Sequence, residues 1–556
     1  MRKTAITIIF SLAAVALQAQ TAYDALMFSE NNYEGTARSV AMGNAFTALG
    51  GDLGAVTINP AGSAVAGYSQ ITITPSLTFT ANTAQGVSPY TDGSLPYFQR
   101  AMKSRMTTFD LPNVGVTYNW DTGRKSGFKN ITFGFVVNQT NSWNEDIYAN
   151  GTNSTTSFMG ALATYASPHI DPQTLKEVPG LSATDLAAED AYDFMPHLCW
   201  KAVTGFKSGM ISTFGGYDDQ YVGASELIFE NSATGETEIV IGGPLEQTYG
   251  RRVDGGKYEY AFNVGANISD FVYFGATFGL NSITYDESWY FMEKAVDPTD
   301  FEIGLDNGQS MFFEQMKYKY SYNANGTGVF GKFGVIVTPG FGLRIGAAVQ
   351  TPTLTTMTET WAEDGETRFS NESYSALSPY IEAQYSFRSP LRANFGIAYT
   401  LGSLGLISVD YEMCDYSKMR YDTNNTDWAY FEEVNDDIRK RFGTAHMLRA
   451  GVEVKPLPEL AIRAGYNLST GAEKLDIRNN KLEPLLNHSA SFGLGFSSKG
   501  SFFADVAAKT RFIPDEYFMP YEDYIFDAEG NVAEFAPEIL NKSSLWKVLL
   551  TIGWRF

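Results

Sequence analysis

Side chains suited to acid–base, nucleophilic or metal chemistry are few in this chain of 556 residues. The histidines are His169, His197, His446 and His488, and the cysteines are Cys199 and Cys414. Nucleophilic catalysis needs a base within reach of the nucleophile, and a structural metal needs ligands at short regular spacing. No histidine lies in a Gly-x-Ser-x-Gly or metal-ligand pattern. No enzyme, metal site or cofactor is therefore expected. His169, His197 or a loop tyrosine would be the axial ligand if the chain were a receptor for haem or another hydrophobic cofactor, an alternative that stays open. The two cysteines are too few to hold a fold together, and one bridge between loops or strand rims is also open.

A second set of reactive types is charged and periodic. Arg344, Asp410, Glu412, Arg449, Glu453, Lys455, Arg463, Asp505, Lys509 and Arg511 fall on the polar face of segments whose other face is apolar. Opposite charges in that arrangement form ion-pair ladders, and an arginine among them is suited to a carboxylate ligand.

The elements that carry them are strands. In the final segment, Ser544–Phe556, Trp546, Val548, Leu550, Ile552, Trp554 and Phe556 occupy every second position. Alternation of this kind places one face in an apolar medium. An aromatic terminal residue closing such a strand is the mark of the last strand of a bacterial outer-membrane barrel. The same alternation recurs at Val272–Leu280, Leu448–Lys455, Leu460–Leu468, Ser491–Phe496 and Ala504–Lys509. A soluble sandwich alternates too, but the gaps here are unequal. Ser269-Asp270, Pro456–Glu459 and Ser498–Ser501 are tight turns. Thr140–Gly243, Lys294–Gln315, Arg420–Ala445 and Arg511–Asn541 are long and polar. Short turns at one end and long loops at the other fit a transmembrane antiparallel β-barrel. Fourteen strands are predicted, starting near Gln70, Asn113, Ile131, Leu245, Phe271, Lys317, Leu343, Tyr374, Leu406, His446, Leu460, Leu486, Ser501 and Ser544. An even number puts both termini on the periplasmic side. A helix is predicted from a capping box at Ser182-Ala-Thr-Asp185, with Leu186, Ala191, Phe194, Met195, Leu198 and Ala202 at helical spacing and Pro196 breaking or ending it. These residues, with Met311-Phe312-Phe313, either pack loops onto the barrel rim or form a greasy landing groove for a ligand.

Compartment and composition agree. Arg2 and Lys3 precede an apolar run from Ala5 to Leu17, followed by Leu17-Gln18-Ala19. This reads as a signal peptide over 1–19, too short to span a bilayer as a helix, which takes roughly 20 residues. Charged residues are 18% and aromatics 14%, and the net charge is −22, which excludes nucleic acid as a partner. Acidic outer loops would face lipopolysaccharide and its divalent ions.

Residues 20–67 precede the first strand and are rich in small side chains. They contain Gly35-Thr-Ala-Arg-Ser-Val-Ala-Met-Gly-Asn-Ala-Phe46 and Asn59-Pro-Ala-Gly62. A wide barrel leaves a water-filled bore unless something fills it, so a hatch inside the barrel is expected at 20–67, with the barrel over 68–556 and its largest loop at about 140–243. This pattern, through Gly35, Ala37, Arg38, Ser39, Met42, Gly43, Ala45, Phe46 and Asn59 to Gly62, resembles the hatch of the FadL/TodX family, outer-membrane transporters of long-chain fatty acids and other hydrophobic compounds. Arg344–Pro352, Ser408–Tyr411 and Phe556 fit it as well, while the 140–243 region is longer than the family pattern. The resemblance implies capture of a hydrophobic or amphipathic small molecule on outer loops, binding in the lumen, movement of the hatch and lateral release into the bilayer by a monomer without cofactors. It places the hatch and gate at Asn59, Pro60, Ala61, Gly62, Arg38, Gly43 and Phe46, ligand contacts at Met311, Phe312, Phe313, Phe194, Met195 and Leu198, and the side opening at Gly134 and Asn138. A general diffusion porin is the chief rival, and it would lack a hatch.

Overall fold

The computed structural model describes residues 21–556 except 89–96, 171–176, 194–199, 231–236, 305–307, 423–427, 475, 478–479, 482–485 and 527–531. The expected signal peptide lies outside these residues. Fourteen antiparallel spans close into one barrel. They are β1 (Gln70–Val87), β2 (Met102–Asp121), β3 (Phe128–Asn153), β4 (Leu245–Ile268), β5 (Val272–Ala295), β6 (Ser310–Gly340) and β7 (Leu343–Gln350 continued by Leu354–Phe369). The remainder are β8 (Ser373–Leu377 continued by Ile381–Arg388 and Arg392–Thr400), β9 (Gly405–Asp415), β10 (Thr444–Leu457), β11 (Leu460–Thr470), β12 (Leu486–Ser497), β13 (Phe502–Phe512) and β14 (Glu538–Arg555). β14 pairs with β1 from Arg555–Gln70 to Glu538–Val87, and Phe556 and Ser69 exchange backbone hydrogen bonds of 3.0 and 3.2 Å that finish the seam. Closure satisfies the edge groups that hydrocarbon could not solvate. No described helix is long and apolar enough to cross a membrane.

The polarity is inverted relative to a soluble protein. Trp546, Val548, Leu550 and Trp554 face outward and are exposed, while Lys547 and Thr551 on the same strand are buried in the lumen. On β10, Leu448, Val452 and Val454 face out, and Arg449 and Glu453 are fully buried inside. Alternation along each strand therefore sorts hydrocarbon-facing from lumen-facing residues.

Two strands carry matched interruptions. β7 breaks at Thr351-Pro352-Thr353 and β8 at Ser389-Pro390-Leu391, and the breaks face each other: Thr353 and Ser389 exchange N–H···O bonds of 3.0 Å. Proline has no N–H for a ladder, so both strands bend here. The strand expected near Tyr374 starts there: Ser373–Leu377 pairs with the upper part of β7, and Ile381–Arg388 carries the same span on along β7, with Ser378 bonded to Glu363 between them.

The turn end of the barrel has short connections, and the other end carries the loops. β3 continues to Asn153, beyond the polar boundary at Thr140. The connection that follows folds into a cap: α3 (Phe158–Ala166), α4 (Ala183–Ala187) and α5 (Trp200–Lys207). Ser182 caps α4, and the helix ends at Ala187, before the break expected at Pro196. Trp200 is buried against Tyr192 and Trp361, and Thr204 reaches Glu363 on β7 at 3.3 Å, so the cap spans the lumen mouth. The loop before β14 braces it, with Tyr521 and Tyr524 bonded to Asn153 and Ser157 at 3.0 Å.

Val548 lies midway along β14 on the hydrocarbon face. Val548→Lys should destabilise the folded barrel by about 2–4 kcal/mol, measured by reversible urea unfolding in lipid vesicles, whereas a soluble sheet edge would be nearly indifferent. In the cap, burial pushes the Glu226 carboxyl up to about 7; it accepts from Gly223 N–H at 2.8 Å and from the Tyr524 hydroxyl at 3.4 Å. A carboxyl whose pKa is raised on folding adds stability that is full below about 4.5 and lost as pH rises through about 7. Amide exchange across the cap, corrected for the intrinsic rate, should therefore increase from pH 5 to pH 8, and Glu226→Gln should flatten that dependence.

Candidate functional site: the lumen plug and the seam beside it

Residues 21–67 run through the bore. Thr21 caps α1 (Ala22–Ser29) by a reciprocal capping box with Asp24. Thr36 caps the short α2 (Ala37–Ala41), and the chain then turns through Gly43 and Asn44, both with positive φ. A side chain at Gly43 would also strike the β10–β11 backbone at Ala450 and Tyr466. Small residues let this segment touch the wall backbone, and the wall answers with glycines. A Cβ at Gly334 would lie 1.9 Å from Asn59 Oδ1, one at Gly275 2.2 Å from the Pro60 carbonyl carbon, and one at Gly346 2.1 Å from the Thr47 oxygen. These are close approaches that only glycine permits.

Polar contacts then fix the plug. Asn59 caps the turn Pro60–Val65 by accepting from Ala61 N–H at 3.0 Å. Its Nδ2 donates to Thr47 O at 2.6 Å and to Val335 O on β6 at 3.2 Å. Pro60 O accepts from Asn263 at 3.1 Å, and Gly62 N–H returns to Asn59 O at 3.0 Å. Arg38 pairs with Glu453 at 3.1 Å, and its guanidinium stands 5.5 Å from the ring of the fully buried Phe46. Glu453 also receives Arg463 at 2.6 Å, which in turn binds Asp505 at 2.5 Å. Asp410 accepts from the Thr47 N–H and hydroxyl at 2.7 Å, Arg344 donates to Leu49 O at 2.7 Å, and Lys509 pairs with Glu34 at 3.0 Å. Buried charges survive here because each has an opposite charge or a carbonyl in reach.

Sequence reasoning left out an equally important set: Lys257, Glu259, Lys332 and Arg392. Lys332 bridges Glu259 and Thr57 O, Lys257 donates to Phe28 O at 3.0 Å, and Arg392 joins Ser29 O to Glu412. The signal was present at β4, where Lys257, Glu259, Ala261 and Asn263 alternate with Tyr258, Tyr260, Phe262 and Val264.

The wall is incomplete beside the plug. The β2–β3 ladder runs only from Asp121–Asn130 to Asn113–Asn138. Toward the loop end, among the described residues, β2 pairs with β1 alone and β3 with β4 alone. A bulge at Gln139–Asn141 starts this seam. The plug covers it: Asn32 N–H donates to Thr140 O at 2.7 Å, Glu34 N–H to Gln139 O at 3.0 Å, and Asn32 Nδ2 to Asn141 at 3.1 Å. Side chains supply the other bridges. Ser104 and Asn82 reach Asp146 O, and Gln139 accepts from the fully buried Lys547 at 2.9 Å while its amide lies 3.4 Å from Asp110. The seam is capped at the loop end by Tyr97 and Phe98, where Gly86 N–H meets Phe98 O at 2.7 Å and Tyr97 meets Thr155 at 2.6 Å.

Asn138 is the last paired residue of β3 at this seam, and it also bonds Thr57 and Asn113. Gly134 lies lower, inside continuous ladders to Thr117 and Asn263. Phe313 is fully buried against Phe301 and Phe369 at 5.9 and 6.3 Å, with Met311 and Phe312 half-buried beside the strand Glu302–Gly304. The three pack a loop onto the rim. Phe194, Met195 and Leu198 lie outside the described residues. His446 and His488 bond Tyr411 and Tyr466 at 2.7 and 2.5 Å on the outward face of the wall.

Fold and site together define a plugged transmembrane β-barrel with a side-chain-sealed seam in its wall. No protein-family model and no curated protein matches this chain. Among solved structures it is similar to a FadL homologue of Pseudomonas aeruginosa, at 9% identity and TM-score 0.48, over 95% of this chain and 99% of that one. It is also similar to the toluene transporter TodX of Pseudomonas putida (10% identity, TM-score 0.45, 94% and 99% covered) and to the toluene transporter TbuX of Ralstonia pickettii (11%, 0.43, 94% and 99%).

Gly334→Leu cannot coexist with the Asn59 turn against β6. Steady ion conductance in planar bilayers should rise several-fold over the parent protein, and an unchanged conductance would mean that the turn does not help to obstruct the bore.

Proposed function

We propose that the chain carries hydrophobic or amphipathic small molecules, of the long-chain fatty-acid type, across the bacterial outer membrane and releases them sideways into the bilayer. The observation that carries this reading is the β2–β3 seam, closed by side chains and by the plug segment Asn32–Glu34 instead of by a backbone ladder. A continuous ladder resists opening because each separated strand edge would face hydrocarbon unpaired. Among the described residues, separating β2 from β3 above Asn138 breaks side-chain bonds alone, and baring the β3 edge breaks the plug hydrogen bonds of Asn32 and Glu34.

The rest of the site fits that task. The lumen mouth between cap and plug is lined with aromatic rings, among them Trp143, Tyr285, Trp289, Tyr320 and Tyr322, which suit an apolar cargo. Each buried CH₂ contributes about 0.8 kcal/mol, so a long alkyl cargo binds well without directed polar contacts, and release must come from rearrangement. The turn Asn59-Pro60-Ala61-Gly62 is the gating hinge on this reading, because it ties β4, β6 and the plug at one point. Arg38, Gly43 and Phe46 hold the plug body while the Asn32–Glu34 segment moves. A general diffusion porin requires an open bore, and the plug occupies it.

The test is a reversible lock. In a background with Cys199→Ser and Cys414→Ser, Asn32→Cys with Asn141→Cys places thiols where two side chains already touch at 3.1 Å. The oxidised protein should lose uptake of a fluorescent long-chain fatty acid, and reduction should restore it. Full uptake by the oxidised form would rule out this route.

A further inference from the structure

The outer wall holds a trough of about 1040 Å³ on its hydrocarbon side, running from β2 to the break in β7. Its depth comes from small outward residues, Ala276 on β5 and Gly331 on β6, set between the exposed rings of Phe133, Phe262, Phe278 and Phe333. No charged side chain lines it among the described residues. The trough starts at Val116 and Phe135, immediately below the lower end of the seam at Asn113–Asn138, and outward Leu111 and Val137 join the two. The wall behind it is one backbone thick: Asn263 lines the trough and donates to Pro60 O of the plug at 3.1 Å.

We propose that this trough is a membrane-side receiving site for the uncharged hydrocarbon part of the cargo as it passes the seam. This rests on the lateral-release reading. The lining admits no charged group, so a headgroup stays outside while the apolar body lies along the wall. Lipid tails are as apolar as the lining, so occupancy is driven by close packing against the rings, not by exclusion of water. A site of that kind fills and empties readily, as a transfer station must. Its floor shares Asn263 with the plug turn, so an occupant sits against the residue that holds Pro60.

The test uses the full protein in vesicles of phosphatidylethanolamine and phosphatidylglycerol with a diazirine-bearing hexadecane as the probe. With probe premixed into the bilayer, photolabelling should be enriched about five-fold on the trough strands over the outward face of β9, a ratio corresponding to a preference of about 1 kcal/mol. Ala276→Phe and Gly331→Phe, each made singly and checked for folding by heat-dependent gel mobility, should abolish the enrichment. Uniform labelling around the belt would overturn the trough. With probe supplied from the loop side, trough labelling should appear only in the reduced form of the lock described above. Trough labelling from the premixed probe, with none from the loop side in either form, would overturn lateral release and leave the trough standing.

Discussion

The structure depends on the requirement that no charge and no unpaired backbone group face hydrocarbon. Satisfying it turns the protein inside out. Apolar side chains such as Trp546 and Leu448 go to the outer wall, and Arg449, Glu453, Lys332 and Asp505 go to the bore. Buried charges in the bore then need partners, and the wall alone does not provide enough. The plug supplies them: Arg38 for Glu453, Glu34 for Lys509, and carbonyls of Phe28, Ser29, Leu49 and Thr57 for four basic side chains. The plug is thereby the counter-charge of the lumen, and the rule that builds the barrel also fixes what fills it.

The same rule marks where the wall can yield. Strand edges in hydrocarbon are costly, so a wall built by ladders is closed everywhere the ladder runs. Between β2 and β3 the ladder stops, and polar side chains with a short plug segment take over. Some of these bonds join wall side chains, and the rest are made by the plug at Asn32 and Glu34. On the proposed reading, movement of the plug and opening of the wall are one event. The trough below the seam continues the same surface on the membrane side, and Asn263 connects it to the Asn59–Gly62 turn.

Much of this was legible in the sequence, for physical reasons. Alternation reports which face a residue takes, so the outward Trp546–Trp554 set and the inward Asp410, Glu412, Arg449 and Arg463 could be assigned without coordinates. The small residues around Asn59-Pro60 signalled tight packing, and Gly334 and Gly275 are its counterparts on the wall. Alternation does not report pairing. Gly134 and Asn138 look alike as strand residues, yet the ladder passes through one and ends at the other. The eighth strand does start near Tyr374, but the facing breaks at Pro352 and Pro390 are not visible in either strand alone, because alternation does not say which strand lies alongside. The helix expected onward from Ser182 stops at Ala187, because the cap is held by Trp200, Tyr192 and Tyr521 contacts across the mouth rather than by one amphipathic face.

Backbone exchange at two amides is the most direct measure of whether seam and plug act together. Asn32 and Glu34 donate to Thr140 and Gln139 in the closed barrel. Both amides should be well protected without ligand and should exchange markedly faster while a hydrophobic ligand is passing into the bilayer, with the ladder amides of β10 and β11 unchanged. Equal protection of Asn32 and Glu34 with and without ligand flow would contradict the account.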